Sequence, residues 1–273
     1  MNSVEITGRI NNRNISIHRS LPDKWDEFTL KHLDDLAEVL VSGQPEEKHP
    51  RMILYKWLDL PQEVFFNLDG LYIEKLSERL RFMFERNTLS KVLMPQFNHQ
   101  SVTYYGPKDK FVNISLFEWV IGENCMQKYQ QTKSDADLNT IVYTMYRPLR
   151  TDITEDSMEY KGDLRELIND HTIDKKAQVF KDLPKKEKMK ALITFIGNRN
   201  TVMQLFEPVF ADVQRKGIAD PYSWSGILVD MTGSKWQTRE AVEREKVYNT
   251  FIHWHQNILR MEEYEMEVEN SKR

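Results

Sequence analysis

The side chains that most often do chemistry in proteins are sparse in this sequence and poorly spaced for it. Of the seven histidines, only His253 and His255 lie close together. On a helix, positions two apart point about 200° away from each other, so this pair cannot share one metal ion. The other histidines have no carboxylate or cysteine partner at ligand spacing. The sequence therefore predicts neither a metal site nor a cofactor.

The single cysteine, Cys125, is the one thiol that could act as a nucleophile. It lies at four-residue spacing with Phe117, Ile121 and Tyr129, which predicts one apolar stripe along a helix. A reactive thiol needs an exposed, electropositive setting, whereas this stripe places Cys125 in the predicted core. We expect Phe117, Trp119, Ile121 and Tyr129 to be largely buried packing residues. A lone cysteine also excludes an internal disulfide and favours a reducing compartment.

Sequence patterns of nucleotide binding and hydrolysis are equally weak. The ten glycines are isolated, and Gly197-Asn198-Arg199-Asn200 lacks the second glycine and the Lys-Ser/Thr pair of a phosphate loop. Paired carboxylates are plentiful, but 42 acidic residues make such pairs ordinary on solvated faces. We therefore expect no catalytic, cofactor-binding or metal-ligating residue, and we expect that the chain is not an enzyme.

One basic segment interrupts a chain that is acidic overall. The net charge of −4 and the pI near 6.0 argue against a dedicated nucleic-acid coat. The segment contains Lys175, Lys176, Lys181, Lys185, Lys186, Lys188 and Lys190. Its ordinary interpretation is a solvated helix face, and the alternative is contact with an anionic partner or nucleic acid. Nucleic acid is not expected as a partner.

The elements that must position any site are mostly helical. With 273 residues, 40% of them hydrophobic and 11% aromatic, the chain can bury a sizeable core. Alternation of apolar and polar residues in the first twenty positions predicts a hairpin, and three- and four-residue spacing elsewhere predicts amphipathic helices. We predict a mainly α fold: a helical bundle-like domain with a small N-terminal β-hairpin or sheet and a long C-terminal helix.

The N-terminal residues lack the build of a signal peptide, and no apolar run approaches the roughly 18 residues that span a bilayer. These observations predict a soluble cytoplasmic protein with no membrane partner.

Capping residues mark several helix starts. Thr29 and Asp69 are predicted N-caps, and Ser115 with Glu118 has the spacing of a capping box. The helix after Ser115 and a second helix that ends before Pro148 predict a helical hairpin. Upstream of it, residues 102–104 and 111–114 are predicted to pair as strands across the Gly106-Pro107 turn.

Residues 151–161 are polar, acidic and without periodicity, which predicts a mobile loop or a domain boundary. We accordingly predict an N-terminal α+β domain over 1–150 and a helical region over 151–273 that ends in a long helix. Further helices are predicted over 163–169, 174–181 and 185–196, and one more from Asp220 to a closing Gly233.

The last predicted helix has the most regular apolar pattern. Val247, Phe251, Trp254, Ile258 and Met261 are spaced 4, 3, 4 and 3, a coiled-coil-like seam of about two heptads. Five glutamates load its end: Glu262, Glu263, Glu265, Glu267 and Glu269. Such a helix could pack on its own domain or offer a partner a docking surface.

The chain resembles uncharacterised proteins of tailed bacteriophages and prophages, particularly those of Bacteroidetes-type hosts. The residues that carry the resemblance are Leu21-Pro22-Asp23-Lys24-Trp25, Phe28-Thr29-Leu30, Tyr105-Gly106-Pro107, Asn113, Phe117-Glu118-Trp119, Leu138 and Tyr146-Arg147-Pro148. The part with Trp224, Leu228, Gly233, Trp236, Val242, Val247 and Tyr248-Asn249 is similar to the helical segment of tail assembly chaperones. The chain is longer than most such chaperones and has a more extended terminal helix.

The resemblance implies a non-enzymatic protein of the host cytoplasm that binds the tape-measure protein before the tail tube polymerises. Twelve methionines and thirteen phenylalanines suit a binder with adaptable apolar grooves. One alternative is a virion structural component, such as a neck or tail-completion protein that self-associates, and a third is a nucleic-acid-binding protein or enzyme. The partner-binding residues expected from this comparison are Trp224, Trp236, Val247, Phe251, Trp254 and Ile258.

Overall fold

The fold of the computed structural model is mainly α, which confirms the predicted class. The structure describes residues 2–10, 13–215, 241 and 244–271. The strands are β1 (Asn2–Ile10), β2 (Arg13–Leu21), β3 (Gln96–His99) and β4 (Val102–Tyr105). The helices are α1 (Leu30–Leu40), α2 (His49–Leu58), α3 (Gln62–Phe66), α4 (Gly70–Glu78), α5 (Leu116–Thr132), α6 (Asp135–Met145), α7 (Ile173–Ala177), α8 (Lys185–Leu205), α9 (Glu207–Arg215) and the C-terminal helix (Val247–Ser271).

The chain divides into two compact units. The first comprises Met1–Leu93 with Leu183–Asn200, and the second comprises Met94–Asp182 with Thr201–Arg273. The boundary predicted between residues 150 and 151 therefore lies inside the second unit. Residues 151–161 have neither helix nor strand, as their polar composition predicts. The segments on either side of them are joined by backbone hydrogen bonds, and both segments belong to the second unit. The amide of Arg150 donates to the Leu164 carbonyl at 2.8 Å, and that of Glu166 donates to the Pro148 carbonyl at 2.8 Å.

The N-terminal hairpin packs against the helices of the first unit. β1 and β2 are antiparallel, with Asn2 opposite Leu21 and Ile10 opposite Arg13. Val4 and Ile6 are buried while their neighbours face water, which is the predicted two-residue period. Residues 11–12, which connect the two strands in the sequence, lie outside the described residues.

Gly197, which has no phosphate-loop sequence around it, has a packing role in the first unit. Gly197 lies in the middle of α8, where a Cβ atom would come within 2.5 Å of the Leu89 carbonyl oxygen. Asn87 donates from its side chain to the Ile193 carbonyl at 2.8 Å, and Asn198 donates to the Leu89 carbonyl at 3.2 Å. Gly197 and Asn198 therefore lie where α8 is in close contact with residues 87–89, which precede β3.

All three predicted caps are confirmed. The Thr29 hydroxyl accepts from the His32 amide, and Asp69 accepts from the Leu71 amide at 2.8 Å. Ser115 accepts from the Glu118 amide at 3.2 Å, and Glu118 accepts from the Ser115 amide at 2.6 Å. This capping box begins α5, which forms the predicted helical hairpin with α6 in the second unit.

Two predictions in the second unit are wrong. β4 pairs with β3 and not with residues 111–114, because Gln100 and Ser101 both adopt positive φ angles of 48° and 64° and close a two-residue hairpin. Residues 163–169 are not helical. Arg165 instead bridges to Leu149 in an extended pairing, since its side chain enters a buried ionic cluster.

The remaining helix predictions lie close to the structure. The helix predicted over 174–181 is α7 followed by a 3-10 turn over Gln178–Phe180. The helix predicted over 185–196 is confirmed and continues to Leu205. The helix predicted from Asp220 to Gly233 lies outside the described residues.

Candidate interaction surface

The C-terminal helix is attached to the second unit at its beginning. The Leu116 amide donates to the Glu245 carbonyl at 2.8 Å, and the Val247 amide donates to the Ile114 carbonyl at 3.1 Å. These bonds make a short antiparallel bridge at the start of α5. The Tyr248 hydroxyl adds a hydrogen bond of 2.9 Å to the Lys110 carbonyl. The direction of the helix is therefore set by backbone contacts in its first turn.

An aromatic cluster completes this attachment. Phe251 is fully buried, and its ring centroid lies 5.5 Å from that of Trp119, 5.6 Å from Phe206 and 5.3 Å from Phe210. Edge-to-face contacts of this kind stabilise beyond the area that they bury. Val247 is equally enclosed. These two seam residues thus fix the base of the helix.

Beyond Phe251 the helix is exposed over about five turns. Five apolar residues there are between 46% and 62% exposed: Ile252, Leu259, Met261, Tyr264 and Met266. Ile252, Leu259 and Met266 recur every seven residues, so they line one side of the helix, which we call the outer stripe. The outer stripe lies beside the seam, whose later members Trp254 and Ile258 are half-buried.

The six predicted partner-binding residues fall into three groups. Trp224 and Trp236 lie outside the described residues. Val247 and Phe251 are buried in contacts within the second unit, which leaves them no accessible surface for a partner. Trp254 and Ile258 lie on the accessible part of the helix. The outer stripe lies outside the predicted seam, although the seven-residue spacing of Ile252, Leu259 and Met266 is visible in the sequence.

The charge of the exposed helix is strongly acidic. Val247–Ser271 contains five glutamates and only one arginine or lysine, Arg260. All five are exposed. Acidic residues near the C-terminal end of a helix oppose its dipole and repel one another at three- and four-residue spacing. The surface therefore combines apolar side chains with negative charge.

A buried ionic cluster lies in the part of the second unit to which the C-terminal helix is attached. Glu118, already bonded to Ser115, accepts from Arg147 and, at 3.2 Å, from Arg165. Arg165 also donates to Asp163 at 2.6 Å. Both arginines are only 2% exposed. Burial of such groups is costly unless they are paired, so the cluster is a strong constraint on the loop that carries Arg165.

The electrostatics of this cluster follow from burial and pairing. Burial raises the pKa of Asp163, but the nearby Arg165 and Arg147 guanidinium groups outweigh it and hold that pKa below the usual 3.8. Burial lowers the pKa of Arg147, partly offset by the Glu118 carboxylate. The carboxylate of Asp163 is therefore stabilised in its charged form.

The predicted core position of Cys125 needs correction. Cys125, Phe117 and Ile121 are half-buried, and of that stripe only Tyr129 is buried. A different face of α5 is buried, because Trp119 packs in the aromatic cluster at the base of the C-terminal helix. Burial nevertheless raises the pKa of the Cys125 thiol to about 12, and Asp137 adds to the effect. The thiol is protonated at neutral pH and is a poor nucleophile.

The lysines at the start of α8 are engaged within the first unit. Lys186 and Lys190 each place Nζ 3.0 Å from Asp34, and Lys190 also lies 2.7 Å from Glu187. Lys188 is buried. These contacts reduce the free positive charge on which binding of a nucleic acid would depend.

The described residues contain neither a metal-binding cluster nor a helix that could span a membrane. No group of three or more histidine, cysteine, aspartate or glutamate residues in these ranges could hold a metal ion. None of the helices within them is both long and apolar enough to cross a membrane. Comparison with protein-family models, with curated proteins and with solved structures finds no match to this chain.

Proposed function

We propose that this chain is a non-enzymatic binding protein of tailed-phage assembly that holds a helical client, such as the tape-measure protein, on its C-terminal helix. The observation that carries the proposal is the contrast along that helix. Its base is buried at Val247 and Phe251, whereas four of its later apolar residues are 48% to 62% exposed: Leu259, Met261, Tyr264 and Met266. Contiguous exposed apolar side chains typically mark a binding surface.

The geometry suits a helical client. A helix that is fixed at one end and apolar along its length can pack against a second helix through residues at three-, four- and seven-residue spacing. Met261 and Met266 are both exposed, and the flexible methionine side chain adapts to different partner surfaces. The surface therefore favours binding of a long helical protein over a small ligand.

The phage assignment rests on the sequence resemblance alone. Its residues include Phe117-Glu118-Trp119 and Tyr146-Arg147-Pro148, which in the fold lie at the ionic cluster and beside the base of the C-terminal helix. A family that shares these residues would share the scaffold that holds the helix. The tape-measure protein is the client that this resemblance implies.

Co-expression tests the proposal. The chain and the long coiled-coil protein that it is proposed to bind should purify as one complex, with a mass from light scattering that equals a defined sum of the two. Leu259→Glu should abolish or strongly weaken the complex, because it places a charge in the apolar contact. Asn257→Glu is the matched control, since it adds the same charge at an exposed polar position about 200° around the helix from Leu259.

Three results would contradict the proposal. A client that stays insoluble and unbound in the presence of the folded chain would remove the proposed activity. A closed ring of many copies formed by the chain alone would favour the virion-component hypothesis instead. Equal binding by Leu259→Glu and Asn257→Glu would move the binding surface away from the outer stripe.

A further inference from the structure

The distal half of the C-terminal helix has a charge pattern that specifies its partner further. Glu265 takes the next seam position, four residues after Met261, and Glu262 and Glu269 lie about 40° to one side, between the seam and the outer stripe; we call these three the seam glutamates. All three are exposed, and none makes an ion pair with any residue in the described ranges. A partner helix along the seam would therefore meet apolar side chains first and carboxylates afterward.

We propose that the segment that docks on this helix is a basic amphipathic helix, whose apolar side packs on the outer stripe and whose lysines or arginines pair with the seam glutamates. This inference deepens the proposed function and rests on it, because the same surface receives the client. From Ile252 to Val268 the surface rises roughly 24 Å, which a partner segment of about five helical turns would match.

The helix itself gains from a cationic partner. Glu269 in the last turn opposes the helix dipole, and the five glutamates repel each other within one or two turns. Arg260 is the single basic residue among Val247–Ser271. Cations on the docked segment would supply the compensation that the helix lacks internally.

The same charges argue against a second copy as the occupant. In a parallel pair, each glutamate would face its own equivalent on the other chain. In an antiparallel pair, the acidic end would face residues 247–258, which contain two histidines and no lysine or arginine. Neither arrangement neutralises the carboxylates, and like charges across a helix pair are unfavourable.

Synthetic helices test the charge requirement directly. The probes are three labelled amphipathic peptides of about 18 residues with one leucine pattern and with lysine, glutamine or glutamate at the polar positions. Fluorescence anisotropy with the full chain should show tightest binding by the lysine peptide and no binding by the glutamate peptide. The triple variant Glu262→Gln, Glu265→Gln, Glu269→Gln should weaken the lysine peptide about tenfold at low salt, since each exposed pair contributes a small, additive share. Added salt should erase most of this difference.

A matched variant separates local from overall charge. Glu46→Gln, Glu47→Gln, Glu63→Gln removes the same charge at exposed positions of the first unit and should leave peptide affinity unchanged. Equal binding of the lysine and glutamate peptides would overturn the inference, as would equal weakening by both triple variants. A dimer of the chain that Leu259→Glu dissociates would assign the surface to a second copy.

The outcomes also distinguish this inference from the proposed function. If the lysine peptide binds as described but the coiled-coil client does not, the client assignment fails and the basic-helix inference stands. If the client binds and the glutamate-to-glutamine variant on the helix has no effect on its affinity, the function stands and the charge inference fails.

Discussion

Replacement of Phe251 by alanine should test whether the base of the C-terminal helix is an anchor. The side chain is fully enclosed and contacts Trp119, Phe206 and Phe210 at centroid distances of 5.3 to 5.6 Å. Truncation of a buried phenylalanine costs about 3–5 kcal/mol, through lost burial and through the cavity that remains. That cost is a large share of the roughly 5–15 kcal/mol that stabilises an ordinary domain.

Two measurements report this effect, one for the whole protein and one for its separate segments. Urea unfolding followed by circular dichroism gives the loss of free energy of unfolding, and hydrogen exchange shows where protection is lost. We expect the exchange of Val247–Ser271 to accelerate first, because Phe251 holds that helix to α5 and α9. The control is Tyr264→Ala, which removes an aromatic ring from an exposed position of the same helix and should cost less than about 1 kcal/mol. If the two variants have the same stability and the same exchange pattern, the aromatic cluster is not the anchor.

Four further predictions concern the two units. Glu118→Gln should lower the free energy of unfolding by about 3–5 kcal/mol, because it leaves two buried arginines with one carboxylate; a loss below about 1 kcal/mol in urea titration would contradict the buried pairing. Since the folded-state pKa of Asp163 lies below 3.8, its contribution is present above that pH and is lost as the pH falls through the folded value, so Asp163→Asn should show a shallower loss of stability in acid. Cys125, with a pKa of about 12, should react with a disulfide reagent at pH 8 roughly a thousandfold more slowly in the native chain than in urea, and equal rates would refute its protection. Gly197→Ala should cost about 1–3 kcal/mol through overpacking, whereas Gly70→Ala, where no atom lies within 4 Å of the new Cβ, should be nearly neutral in the same thermal melt.

Local chemistry made part of the fold predictable. Thr29, Asp69 and Ser115 mark helix starts because a side-chain oxygen satisfies backbone amides that the helix itself leaves free, and this depends on only three or four neighbouring residues. The N-terminal hairpin and the long C-terminal helix were equally readable, because their apolar periods are sustained over many residues.

Long-range pairing made the rest unpredictable. The turn at Gln100 and Ser101 contains no glycine, so nothing in the local sequence announced two positive φ angles. The segment around Arg165 had helical composition, but its pairing with Leu149 and the burial of its guanidinium group beside Glu118 override that preference. Such contacts join residues far apart in the chain.

The candidate surface was half predictable for a similar reason. The seam was visible as a 4, 3, 4, 3 pattern, but the same pattern serves a buried contact and a docking surface. Only the structure separates Phe251, which is enclosed, from Ile258, which remains accessible. The outer stripe is apolar and exposed, although no contact within the described part of the chain requires apolar side chains there. This contrast between composition and exposure identifies the surface.

Hydrogen exchange of the chain with and without its coiled-coil client tests the central claim most directly. The claim is that the client docks on the exposed part of the C-terminal helix. We predict slower exchange across residues 252–268 on binding, with little change in α1 to α4 of the first unit. Protection confined to other elements, with residues 252–268 exchanging as fast as in the free chain, would contradict the account.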